Sequence, residues 1–89
     1  MVYFVRAGEF IKIGSAADVR QRLINVQTGC PFTLEPLLVL RGGAARERQL
    51  HSRFRAGHIR GDWFRLTDDL LAFIADNRTH CVMDRGAGA

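Results

Sequence analysis

A small α+β domain, with a three-stranded antiparallel sheet flanked by about three helices in the order β-β-α-β-α-α, is the fold class the sequence predicts. Three observations lead there. Two β-branched and aromatic runs, Val2 to Arg6 and Phe10 to Gly14, flank a glycine and read as a hairpin. Three later stretches repeat apolar residues at helical spacing. The chain has 89 residues, 47% of them hydrophobic, which suits one core and is too apolar for a disordered chain.

The elements follow in order. With Ala7-Gly8 between the strands, the simplest register sets Arg6 against Glu9 and Tyr3 against Lys12. It puts Val2, Phe4, Ile11 and Ile13 on one face, suited to a core. Asp18 is placed to cap a helix running to about Asn25, with Val19, Leu23 and Val26 as its buried stripe. Thr28 to Pro31 is a turn cluster, and Leu34 to Arg41 reads as the third strand. Gly42-Gly43 ends it. Ala44 to Arg55 reads as the second helix, followed by a loop holding Gly57 and Gly61. Trp63 to Leu66 suggests a short extended piece. Thr67 caps a third helix, with Asp68 and Asp69 in its first turn, where the helix dipole favours them. Residues 1–77 are expected to form the domain, and 78–89 a fraying tail.

The bulk chemistry narrows the function classes. No run is long or apolar enough for a membrane helix and no signal peptide is evident, so a cytoplasmic protein is expected. Cys30 and Cys81 read as free thiols, since neither belongs to a CxxC pair. The net charge is +4, carried by twelve arginines and a single lysine. Six of these, Arg41, Arg46, Arg48, Arg53, Arg55 and Arg60, share a stretch in which Glu47 is the only acid. That is the footprint expected of a polyanion partner, and equally the pattern of a solvated helix face.

Three placements stand out. Glu47, Leu50, His51 and Phe54 fall at i, i+3, i+4 and i+7, so a carboxylate and an imidazole share the apolar side of the second helix. Glu47 there is either paired with an arginine at the stripe edge or bound to a cation. Lys12 lies mid-strand opposite Tyr3, either as an exposed cation–aromatic contact or as a charge that favours the phenolate. Arg22, at the margin of the first helix's stripe, either lies along the surface or presents its fork to a phosphate.

Taken together, Val2-Tyr3-Phe4, Lys12-Ile13-Gly14, Asp18 to Leu23, Glu47-x-x-Leu50-His51-x-x-Phe54 and Gly61-Asp62-Trp63-Phe64 resemble the GIY-YIG nuclease superfamily. The last two segments resemble its phage and mobile-element branch. The resemblance spans roughly residues 2 to 74 and implies hydrolysis of phosphodiesters with one divalent metal, Mg2+ or Mn2+. On that resemblance Tyr3 is the proposed base, Lys12 takes the first place of the second motif, and Arg22 stabilises charge on the phosphate. Glu47 holds the metal, and His51 positions water, relays a proton or contacts phosphate. Gly14 is the motif glycine, expected where helix and strand approach closely. Trp63 and Phe64 are expected to pack the third helix on the sheet, with stacking on an exposed base as the alternative. Arg20, Arg41, Arg46, Arg48, Arg53 and Arg55 are expected to grip the nucleic-acid backbone. The chain departs from the superfamily pattern in having Lys12 where a tyrosine is usual, and Asn77 is a poor match for the late asparagine.

The function implied is a metal-dependent endonuclease acting on nucleic acid, with DNA first. The alternative is a non-catalytic nucleic-acid-binding module of the same fold, and a third class is a small protein-interaction domain. A two-fold homodimer would let so small a nuclease cut both strands.

Overall fold

The computed structural model describes residues 1–82. Strands β1 (Val2–Ala7) and β2 (Phe10–Ser15) form the expected hairpin. The two-residue loop is Gly8-Glu9, with Gly8 at φ 63°, the conformation a tight hairpin asks of its first central residue. The register therefore differs from the expected one by two residues. Ala7 opposes Phe10, Val5 opposes Lys12, and Tyr3 opposes Gly14 rather than Lys12. Because side chains alternate with period two, a shift of two leaves every residue on its expected face.

Among the described residues the sheet has five strands, not three, in the order β3-β1-β2-β5-β4, and every neighbouring pair is antiparallel. Strand β3 is Glu35–Leu40. Of the two additional strands, β4 (His58–Arg60) forms where a loop was expected and pairs with β5 (Trp63–Arg65), the expected short extended piece, as a second hairpin. Gly61, at φ 51°, makes its turn.

β1 lies between β3 and β2, and Val2, Tyr3, Phe4 and Val5 are all fully buried. A strand buried on both faces requires a layer on each side. On one side, Val2, Phe4, Ile11 and Ile13 pack with Leu50 and Phe54 of the α2 region and with Leu70, Phe73 and Ile74 of α3. On the other, Tyr3, Val5 and Val39 pack with Ala16, Val19 and Leu23. The expected core face of the hairpin is thus found, and the opposite face is buried too.

Helix α1 (Val19–Thr28) starts at Asp18, whose Oδ1 accepts from the Gln21 N–H at 3.0 Å, and runs three residues beyond the expected end. None of its residues is fully buried, so it is a thin outer layer. Helix α2 (Ala44–Arg53) ends two residues early, because at Phe54 the chain enters a short 3-10 turn, Arg55–Gly57. Helix α3 (Asp68–Asp76) is capped by Thr67, which accepts from the Leu70 N–H at 3.3 Å. Of the expected tail, residues 83–89 lie outside the described residues. Arg78–His80 forms a 3-10 turn, and Cys81 and Val82 lie along the outer edge of β3. The Val82 N–H donates to the Val39 carbonyl at 2.7 Å, and the Val39 N–H donates to Cys81 Sγ at 3.4 Å. Among the described residues no helix is long and apolar enough to cross a membrane.

Candidate active site at the β2, α2 and β4–β5 junction

The end of β2, the first turns of α2 and the second hairpin bring three ligand-type side chains together. Glu47 and His51 stand one turn apart on α2, as their spacing requires. Asp62 arrives from the turn between β4 and β5. One donor atom from each of Glu47, His51 and Asp62 lies within 4.8 Å of the others, and all three side chains are partly exposed.

Each carboxylate is held by one oxygen and offers the other. Glu47 Oε1 accepts from the Ser15 hydroxyl at 2.7 Å, while its Oε2 lies 3.9 Å from His51 Nε2. Asp62 Oδ2 pairs with Lys12 Nζ at 3.1 Å, while its Oδ1 lies 3.7 Å from His51 Nε2. His51 is fixed in turn: Nε2 sits 2.7 Å from the Ile13 carbonyl oxygen, and its ring meets Phe64 edge-on at 4.8 Å. A carbonyl oxygen only accepts, so Nε2 carries the proton in that bond. In the neutral ring Nδ1 then holds the lone pair. The two free carboxylate oxygens suit a divalent cation, with coordination positions left for water and substrate, whereas the Nε2 that faces them carries its proton and cannot ligate in this state.

Cations border this cluster. Lys12 reaches Asp62 from the opposite face of the sheet, and its Nζ lies 5.5 Å from the Trp63 ring centroid. Lys12 has that orientation because it opposes Val5 on one side and Trp63 on the other. Arg22, exposed on α1, comes within 3.5 Å of the Ser15 carbonyl, so Ser15 touches both Arg22 and Glu47.

Tyr3 is the sequence-predicted residue that the structure holds apart. It is fully buried on the α1 side, and its hydroxyl has no hydrogen-bond partner among the described residues. Its ring covers Gly14 so closely that a Cβ there would lie 2.5 Å from the hydroxyl oxygen. Gly14 is therefore needed where the Tyr3 ring lies against it. Tyr3 and Glu47 reach adjacent residues of β2, Gly14 and Ser15, from opposite faces of the sheet.

The remaining expectations divide in the same way. Phe64 is in the core beside Leu70 and Phe73, while Trp63 is half-buried on the other face. Among the arginines, Arg20, Arg41, Arg48 and Arg55 are exposed. Arg46 donates to the Arg41 carbonyl at 3.1 Å, and Arg53 stacks 4.9 Å from the Phe73 ring centroid, so both also serve the fold. Asn77 donates to the Phe73 carbonyl at the end of α3. Asp62 and Ser15 are the site residues to which the sequence alone assigned no role. The available signal for Asp62 was its place after a turn glycine in the Gly61-Asp62-Trp63-Phe64 segment.

Fold and site together define a small α+β domain with a carboxylate–imidazole cluster at the end of its sheet, bordered by cations. The model of the T5orf172 domain matches residues 1–78, and the chain belongs to that family, a phage-associated domain related to endonuclease-like folds. No curated protein and no solved structure matches the chain.

Proposed function

We propose that the domain is a metal-dependent endonuclease of the GIY-YIG type, hydrolysing phosphodiester bonds in nucleic acid, with DNA as the first substrate to test. The observation that carries this reading is the convergence of Glu47, His51 and Asp62, with Lys12 and Arg22 beside them. Family membership supports it at the coarser level of a nuclease-like domain.

Glu47 and Asp62 would hold Mg2+ or Mn2+, which when bound polarises the phosphate and assists the leaving oxygen. The chain's own groups supply the rest. Arg22 is exposed and its fork can pair with phosphate oxygens. Lys12 lies where it can turn from Asp62 to a bound phosphate. His51 is the accessible group for taking a proton from the attacking water, with Nε2 anchored and Nδ1 free. Tyr3 acts as base only if binding opens the contact over Gly14. Its unpartnered hydroxyl is a group that such an opening would satisfy.

The test is nicking of supercoiled DNA with Mg2+, with Mn2+ and with chelator. Wild type is expected to nick only with metal. Glu47→Gln keeps an acceptor for Ser15 and is expected to lose about 100-fold or more of the rate, the scale of one lost charge-stabilising group, while retaining DNA binding. The binding-module reading is favoured by the Lys12–Asp62 pair, which already neutralises one carboxylate. It predicts that wild type nicks nothing with either metal and that Glu47→Gln changes neither assay.

A further inference from the structure

On the α1 side of the sheet a groove of about 600 Å³ opens between the second hairpin and the segment following α1. Phe10, Lys12, Phe32, Ile59, Arg60 and Trp63 are among its lining residues. Its large apolar side chains are unusually open to solvent: Phe32 is 51% exposed, Ile59 40% and Phe10 39%. Among the described residues two cations line it and no acidic residue does. Lys12 belongs to both places, since its Nζ pairs with Asp62 of the cluster and lies against Trp63 in the groove. The groove therefore begins one side chain away from the candidate active site.

We propose that this groove receives an unstacked nucleobase, with Lys12 and Arg60 on the flanking phosphates, so that the domain prefers single-stranded or branched nucleic acid to unbroken duplex. Aromatic walls beside cations suit a strand whose bases are free, because every base has a π-face and every linkage a negative charge. In an intact duplex the bases are stacked inside and cannot enter. An apolar protein segment would also fill such a groove, but Arg60, with no acid among the described lining residues, and Lys12, whose ammonium keeps donors for a phosphate beside its Asp62 pair, favour a polyanion. The inference rests on the nucleic-acid reading above and does not require cleavage.

Trp63 is the sole tryptophan of the chain, so its fluorescence reports on the groove directly. Wild-type protein in chelator is titrated with a short oligothymidylate and, separately, with a blunt duplex. Tighter binding of the single strand, with quenching of Trp63, is expected. Phe32→Leu keeps apolar bulk but removes the ring, and is expected to weaken single-strand binding roughly tenfold. Phe32→Tyr should restore it. Equal affinity for both nucleic acids, absence of quenching, or indifference to Phe32→Leu each overturns the proposal. Cleavage is scored separately with Mn2+ on a flap and on a duplex. Phe32-dependent single-strand binding without cleavage would overturn the endonuclease reading and support this one; efficient duplex cutting without single-strand preference would do the reverse.

Discussion

At the scale of single residues, the Tyr3–Gly14 contact makes opposite predictions for its two partners. The Gly14→Ala methyl would meet the Tyr3 ring at 2.5–3.0 Å, and a fully buried ring has no room to retreat. Gly14→Ala should therefore destabilise the domain by about 1–3 kcal/mol, the usual range for overpacking, measured by urea unfolding. Tyr3→Phe removes a hydroxyl that is buried without a partner among the described residues. It should leave stability unchanged or raise it by about 1 kcal/mol, as the desolvation cost of that group disappears. A clear loss of stability would mean that the hydroxyl has a hydrogen-bond partner in solution. If nicking falls while stability holds, Tyr3 participates in the chemistry. If nicking is unchanged, the proton of the attacking water belongs to His51.

Among elements, the β4–β5 hairpin decides whether the site exists, since it alone delivers Asp62. Gly61 turns the chain at φ 51°, where a β-branched side chain is strained by about 1–2 kcal/mol. Gly61→Val should lower both thermal stability and Mn2+ affinity, the latter read by titration calorimetry. Asp62→Asn should weaken the metal with little loss of fold. This hairpin was also the least legible element. Its strands are three residues each, too short to declare their pairing: β5 read only as a short extended piece, and β4, exposed at all three residues, read as loop. Longer elements with local chemistry were legible: the Asp18 and Thr67 caps declare α1 and α3 because a side-chain oxygen must satisfy the first free N–H groups. The first hairpin was legible in its faces but not its register. Parity alone assigns faces, whereas the choice between Ala7-Gly8 and Gly8-Glu9 as the loop depends on which residue takes positive φ. Glu47 and His51 were readable as a pair because α2 fixes them four residues apart. Asp62 was not, because its position depends on a pairing across the sheet.

For the molecule as a whole, the controlling fact is a central strand covered on both sides in a chain of 89 residues. Few side chains do the covering, so each matters. Phe73 meets both Phe4 and Phe54, at 5.6 and 5.4 Å between ring centroids. Phe73→Ala should cost about 3–5 kcal/mol, a large share of the stability of a domain this size, and show as a sharply lowered midpoint in urea. The net charge of +4 makes an equally global prediction. If phosphates are the ligands, affinity for nucleic acid must fall steeply and log-linearly as salt rises. A flat response would favour a protein partner. Cys81 and Val82 reach the same scale by another route. By occupying the amide and carbonyl of Val39, they blunt the outer margin of the sheet. A chain cut after His80, or one whose Cys81 thiol is alkylated, should present a bare strand to its neighbours. Such a protein would keep its hydrophobic interior and its acidic–imidazole triad, yet turn adhesive, gathering into higher-order species at concentrations where the intact chain stays dispersed.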